Sequence, residues 1–199
     1  MEFEFKEDKI VFNRELSILD TITLKFIKVL DKEHIDYVVI SGYIAILFGR
    51  SRSTEDVDLF VEEMPFAKFE KFWNALSKEG FECINVFNPR EAYDEFLKNK
   101  TSIRFAEKGD WLPNFEIKFP TEELGKYSLK NKVKVILNGS KLNTSRLETQ
   151  IAYKLFLGSE KDIEDAAHLW DIFKDKIDRA LFNRFAAKLK VENKIKELE

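Results

Sequence analysis

The spacing of apolar residues changes several times along this chain, and each change predicts an element. Between about residues 15 and 33, Leu16, Leu19, Ile22, Phe26, Ile27 and Leu30 recur at helical spacing and predict an amphipathic helix. Tyr37, Val38, Val39 and Ile40 form a short β-branched run that reads as a buried strand, ended by Ser41 and Gly42. A short helix through Ile44–Phe48 follows, and then a loop of small and polar residues, Gly49 to Thr54. Val57, Leu59 and Val61 alternate with Asp56, Asp58 and Phe60, a two-residue period that predicts a strand. Phe66, Phe69, Phe72, Trp73 and Leu76 place a helix over about 66–79, with Gly80 as its C-terminal cap. Further strands are expected over 81–87, 101–106, 114–119 and 132–137, with a helix over about 90–98 between the first two. Beyond Leu142 the strand signal stops, and 144–190 reads as three helices interrupted near Gly158 and Ser159. The expected organisation is an α/β core over 1–140 and a C-terminal helical segment over 141–199.

Composition narrows the class. Hydrophobic residues make up 44% of the 199 residues, including 19 Phe, enough for a packed core. No apolar run reaches the length of a membrane span, and the opening stretch Met1–Lys9 is too charged for a secretory leader. A soluble, cytoplasmic protein with no membrane partner is expected. Cys83 is the only cysteine, so no intramolecular disulfide or cysteine zinc site can form, and a small buried side chain is expected there. His34 and His168 stand apart, which argues against a histidine-ligated metal. A net charge of −3 gives no global basic field for nucleic acid and leaves room only for a local basic patch. Charges are mostly Lys and Glu, and Gln150 is the only glutamine.

The chemistry concentrates between residues 40 and 61. Asp56 and Asp58 sit two apart on a strand, so both carboxylates leave the same face. Such a pair repels unless a cation lies between its members. Mg²⁺, or Mn²⁺ in its place, suits one or two protein carboxylates and completes its shell with water and substrate phosphates. Ser41 and Gly42 close the preceding strand just before a helix, a turn that lets backbone N–H groups approach a phosphate. Arg50 and Arg52 lie in the loop between, within reach of phosphate oxygens. Each feature alone has a plainer reading, as a solvated strand face or an ordinary turn. Their order along the chain is what makes them specific.

That order resembles the signature of the nucleotidyltransferase superfamily: an apolar strand, small residues, a helix, then Asp-hydrophobic-Asp. It is most similar to the branch that includes the AbiEii-type toxins of toxin–antitoxin and abortive-infection systems. Gly42 falls on the second small position, Ala45 lies near the expected Ala, and Arg52-Ser53-Thr54-Glu55-Asp56-Val57-Asp58 follows the pattern closely. Ser41 departs from it, standing where that branch usually has a first Gly. The resemblance implies a mixed β-sheet core with flanking helices, and Ser41, Gly42, Arg50, Arg52, Ser53 and Thr54 around the nucleotide. It also implies a third carboxylate from a neighbouring strand. Glu116 is the candidate, sharing a face with Lys118 in Phe115–Phe119; a solvent-facing glutamate paired with Lys118 fits the pattern equally well, and Asp110 is the fallback. Arg146–Leu155 and Lys161–Asp165 resemble a later lysine helix and a basic-Asp-x-x-Asp element of the same branch. By that resemblance Lys154 contacts nucleotide phosphates, while Asp162 and Asp165, three apart on a helix face, position substrate or lysine. A surface lysine and an acidic first helical turn are the plainer readings.

The expected activity is Mg²⁺-dependent transfer of a nucleoside monophosphate from an NTP to a hydroxyl on RNA (tRNA included), a protein or a small molecule. Asp56, Asp58 and Glu116 are the expected metal ligands, and an antitoxin protein is a further expected partner. A catalytically degenerate member serving as a nucleotide sensor or toxin–antitoxin module is the alternative. A partner-binding role for the Phe-rich helix at 66–76 is a third.

Overall fold

The structure is a computed structural model and describes residues 2–6 and 9–198. Its centre is the strand that the Val57, Leu59, Val61 alternation predicts: β4, Asp56–Val61, with those three side chains buried and Asp56, Asp58 and Phe60 half-buried on the other face. β3 (Tyr37–Ile40) pairs with it antiparallel on one side and β7 (Asn114–Lys118) parallel on the other. Beyond β7 lie β6 (Ile103–Glu107) and the edge strand β5 (Phe81–Cys83), both antiparallel to their neighbours. Beyond β3 lie β9 (Ser140–Thr144), β8 (Val133–Leu137), β2 (Lys9–Phe12) and β1 (Glu4–Lys6), completing a nine-stranded mixed sheet in the order β1-β2-β8-β9-β3-β4-β7-β6-β5.

One face of this sheet is covered by the amphipathic helices α1 (Ile18–Lys32) and α3 (Phe66–Lys78). α1 starts where Ser17 and Asp20 form a reciprocal capping box. Phenylalanines fill the space beneath: Phe26 of α1 stacks on Phe115 of β7 at 4.1 Å, and Phe72 and Trp73 of α3 meet Phe105 of β6 edge-on. Each such buried ring contributes roughly 1.5–3 kcal/mol. The opposite face carries the acids. It is only partly roofed, by α5 (Glu123–Lys130) and by the C-terminal helices α6 (Leu147–Leu157), α7 (Glu160–Phe173) and α8 (Arg179–Leu189). α2 (Gly42–Leu47) leads from β3 to the loop before β4 and packs against α7. No described helix is long and apolar enough to cross a membrane.

The three expected C-terminal helices are present, but the sheet runs on past the expected boundary at 140. β9 lies through Thr144, hairpinned to β8 across Asn138 and Gly139, both at positive φ. The strand expected over 81–87 stops at Cys83, because the Asn85 side chain takes over the pairing and accepts the Arg104 N–H at 2.9 Å. The helix expected over 90–98 is a short α4 (Pro89–Glu91), N-capped by Asn88, continuing as a π-helical turn through Ala92–Leu97. β1, β2 and α5 have no counterpart in the sequence-based expectation. Cys83 is buried and free, as expected.

Candidate active site

The pleat brings the acids together. Parallel pairing of β4 with β7 sets Asp56 opposite Asn114 and Asp58 opposite Glu116, so all four side chains leave the face not covered by α1 and α3. β6 adds Arg104 directly opposite Glu116. A row Asp58, Glu116, Arg104 therefore crosses three strands. Arg104 donates to Glu116 at 2.9 and 3.1 Å, and the Lys118 ammonium lies 3.7 Å from the other carboxylate oxygen. Glu116 thus shares the face of Asp58 and carries both the expected Lys118 contact and a stronger one with Arg104.

The electrostatics of neighbouring acids differ. Burial, with Asp56 and Glu116 close by, pushes the Asp58 carboxyl up to about 6, against partial relief from the Ser41 hydroxyl and Lys118. Burial alone would raise Glu116 too, but Arg104, Ser102 and Lys118 together outweigh it and hold that carboxyl below its ordinary value. Asp58 is the acid left short of positive charge. Asp56 has one side-chain neighbour of note, the Thr54 hydroxyl at 3.3 Å. Asn114, in register with Asp56, donates to the Glu55 carbonyl, and its buried Oδ1 has no hydrogen-bond partner among the described residues.

The cations expected to meet phosphate are elsewhere engaged. Lys154 is 3% exposed and so is no surface lysine; it donates to Asp162 at 2.7 Å and lies 2.9 Å from the fully buried Asp165. Arg50 reaches Asp165 and Glu164, and Arg52 reaches Asp165 as well. One carboxylate therefore serves three cations. Burial works against the Asp162 carboxylate, but Lys154 and Ser159 prevail and keep its carboxyl below the ordinary range. Arg52 also lies over the turn before α2: a Cβ at Gly42 would stand 3.0 Å from its guanidinium nitrogen, so a side chain there would press the arginine outward by a few tenths of an ångström. Ser53 is exposed, with its carbonyl accepting from Arg52. Asp110 lies in the exposed β6–β7 turn, outside the row of acids.

Ser41, the residue that departs from glycine, has φ 65° and ψ −141°, close to backbone space that is essentially glycine's alone. Its side chain offsets part of the rise at the Asp58 carboxyl. A cavity of about 250 Å³ opens beside these two residues, walled by Phe60 and Lys118 of the sheet, Leu124 and Gly125 of α5, and Gln150 and Tyr153 of α6. Lys154, Arg50 and Arg52 do not line it.

Neither a family model nor a curated protein sequence matches the chain. Solved structures do. An antigenic nucleotidyltransferase-like protein from Paracoccidioides brasiliensis superposes with a TM-score of 0.53 at 20% identity, over 92% of this chain and 94% of that one. The antibiotic-resistance factor ANT(2'')-Ia gives 0.56 at 12% identity, over 91% and 97%. The chain has a nucleotidyltransferase-like fold. A lincosamide antibiotic adenylyltransferase, LnuA, solved with lincomycin bound, gives 0.50 at 13% identity, over 80% of this chain and 99% of that one.

Within this nucleotidyltransferase-like fold, the sequence reading passed over Arg104, Asn114 and Gln150. Alternation gave a signal for the first two, since both take the acid face of strands whose other face is apolar. Nothing local marks Gln150, whose importance comes from a contact across 109 positions of sequence.

Proposed function

We propose that this protein transfers a nucleoside monophosphate from an NTP to a hydroxyl group, with Mg²⁺ or Mn²⁺ held by Asp56 and Asp58. The observation that carries this reading is the placement of Asp58, an acid short of positive charge, at the wall of a cavity on the open sheet face, with Asp56 two residues before it on the same strand face. The donor set fits such a cation: two carboxylate groups, with the unpartnered Asn114 Oδ1 in register beside Asp56. Among the described residues no group of three or more His, Cys, Asp or Glu is set closely enough to hold a metal. The fit is therefore to a two-carboxylate site, and Glu116 joins only by turning away from Arg104. When bound, the cation supplies neutralisation and Lewis-acid polarisation at the phosphate under attack.

The chain's own residues do the rest. The Thr54 hydroxyl orients Asp56, and the Ser41 side chain offsets part of the charge on Asp58. The Ser41–Gly42 turn offers the triphosphate close approach to the backbone, beneath the Arg52 guanidinium. Arg50, Arg52 and Lys154 are held as a fixed cationic wall by Asp162, Glu164 and Asp165, and each retains N–H donors beyond those contacts. We read residues 1–140, with the rest of β9, as the unit carrying the acids, and the C-terminal helices as the unit carrying that wall's anions. A small-molecule hydroxyl is supported as acceptor by ANT(2'')-Ia, solved in complex with adenylyl-2''-tobramycin, and by lincomycin-bound LnuA. RNA, tRNA included, and protein acceptors, a cytoplasmic toxin role and an antitoxin partner rest on the likeness to the AbiEii-type motif.

The Arg104–Glu116 pair favours one second reading, a degenerate nucleotide-binding module whose third acid is permanently neutralised. A label-transfer assay decides between them. Each NTP, labelled at the α-phosphate, is incubated with the protein, Mg²⁺ or Mn²⁺, and either total RNA, protein extract or an aminoglycoside and lincosamide panel. Transfer that EDTA abolishes is expected. Nucleotide binding without transfer to any of these acceptors would favour the degenerate module.

A further inference from the structure

Ser41 holds a backbone conformation that an L-residue leaves unless its neighbours prevent it. The neighbour that does so comes from α6. The Gln150 carboxamide, 3% exposed, donates from Nε2 to the Ser41 carbonyl at 2.8 Å and accepts the Ser41 N–H on Oε1 at 3.3 Å. Ser145, at the end of β9, donates its hydroxyl to the same Oε1 at 3.1 Å. Because the Ser41 carbonyl must accept and its N–H must donate, only one orientation of the amide satisfies both, so the contact fixes the side chain as well as the turn. These groups lie at the wall of the Asp58 cavity, where Ser41, Ser145 and Gln150 meet.

We infer that Gln150 is a positioning residue: bonded to both sides of Ser41 and steadied by Ser145, it holds the turn in a glycine-like backbone that keeps Ser41 at the cavity wall beside Asp58. The inference rests on the metal–nucleotide reading of this site and adds a residue to it. The C-terminal helices thereby reach the carboxylate site through one amide, whereas their charged residues engage the Arg50–Arg52 loop. A glycine at position 41 adopts the same backbone unaided, which gives the inference a specific signature. The need for Gln150 disappears when Ser41 is glycine.

The experiment is a double-mutant cycle on the full chain with Gln150→Met, which keeps length and volume but loses both bonds, and Ser41→Gly. Magnesium–ATP binding is measured by calorimetry and the metal-free melting temperature by scanning calorimetry. Gln150→Met is expected to weaken magnesium–ATP binding by about tenfold to a hundredfold, the scale of releasing one strained residue and its hydrogen bonds. Adding Ser41→Gly is expected to bring binding back to within about threefold of Ser41→Gly alone, the margin expected when the coupling is complete. A double variant as weak as Gln150→Met overturns the inference, as does Gln150→Met binding like wild type. If wild type itself binds no magnesium–ATP, the nucleotide reading fails and the melting temperatures still test the clamp. Ser41→Gly must then raise the melting temperature more in the Gln150→Met background than in wild type. Equal shifts in both backgrounds make Gln150 a mere tie between helix and sheet.

Discussion

Two charged clusters flank the turn at Ser41 and Gly42, and they are balanced in opposite ways. Around Asp165 three cations meet three carboxylates, Asp162, Glu164 and Asp165 itself, with Asp165 and Lys154 withdrawn from solvent. Around Asp58 the sheet sets Asp56 and Glu116 beside it, Arg104 is paired with Glu116, and Lys118 lies near Glu116 and gives Asp58 only partial relief. The first cluster is satisfied from within and binds the C-terminal helices to the loop before β4. The second is left wanting a cation. The residue types that suggest phosphate binding in the sequence are paired with carboxylates of the chain itself, while the charge left without a full partner is negative.

Breaking the satisfied cluster carries the largest expected effect. Asp165→Ala leaves Arg50, Arg52 and Lys154 without their shared carboxylate, and a loss of about 3–5 kcal/mol in denaturant unfolding is expected, the range for removing one partner of a buried ionic set. Lys154→Met costs less, because Asp165 keeps its two arginines; this is a structural cost that an exposed lysine would not carry. A loss below about 1 kcal/mol for Asp165→Ala would contradict the comparison, since that is the scale of a surface pair.

The unsatisfied cluster is expected to respond to pH instead. Asp58 binds its proton more tightly in the folded chain, at about 6, than at the ordinary 3.8. Below pH ~4 both states are protonated and nothing is lost. As pH rises through 6 the metal-free native state gives up stability relative to the unfolded chain, by roughly 3 kcal/mol at most. Asp58→Asn in EDTA is therefore expected to melt higher than wild type at pH 7.5 and to lose that advantage near pH 4, with Mg²⁺ and nucleotide narrowing the gap. An advantage independent of pH would assign the effect to something other than the ionised carboxylate.

Arg104→Gln carries the smallest expected effect. Freed from its partner, Glu116 adds to the negative charge beside Asp58, and Mn²⁺ affinity is expected to rise by about threefold to tenfold, the gain from one additional nearby carboxylate in a half-exposed site. Weaker Mn²⁺ binding in this variant would mean that Arg104 supports the metal site instead of competing with it.

How much of this was legible depends on the range of the interaction. The strand carrying Asp56 and Asp58 follows from the two-residue alternation of Val57, Leu59 and Val61, and Glu116 could be placed on a polar strand face in the same way. Local signals were also there to be taken: Asn138 and Gly139 are a strong hairpin pair, and they mark the β8–β9 turn that carries the sheet past residue 140. What pattern alone does not supply is register across strands. Whether Glu116 meets Asp58 or Arg104 depends on which strands neighbour β7, and it meets both. Lys154 shows the same limit, since its burial is created by a helix that folds back over it.

In the proposed function, nucleotide binds through a cation held by Asp56 and Asp58. Isothermal titration of ATP with Mg²⁺, on wild type and on Asp56→Ala/Asp58→Ala at equal fold stability, tests it most directly. Wild type is expected to bind magnesium–ATP far more tightly than ATP in EDTA, and the double variant to lose roughly a hundredfold or more with its remaining affinity insensitive to Mg²⁺. Unchanged magnesium–ATP affinity in the double variant would contradict the assignment outright.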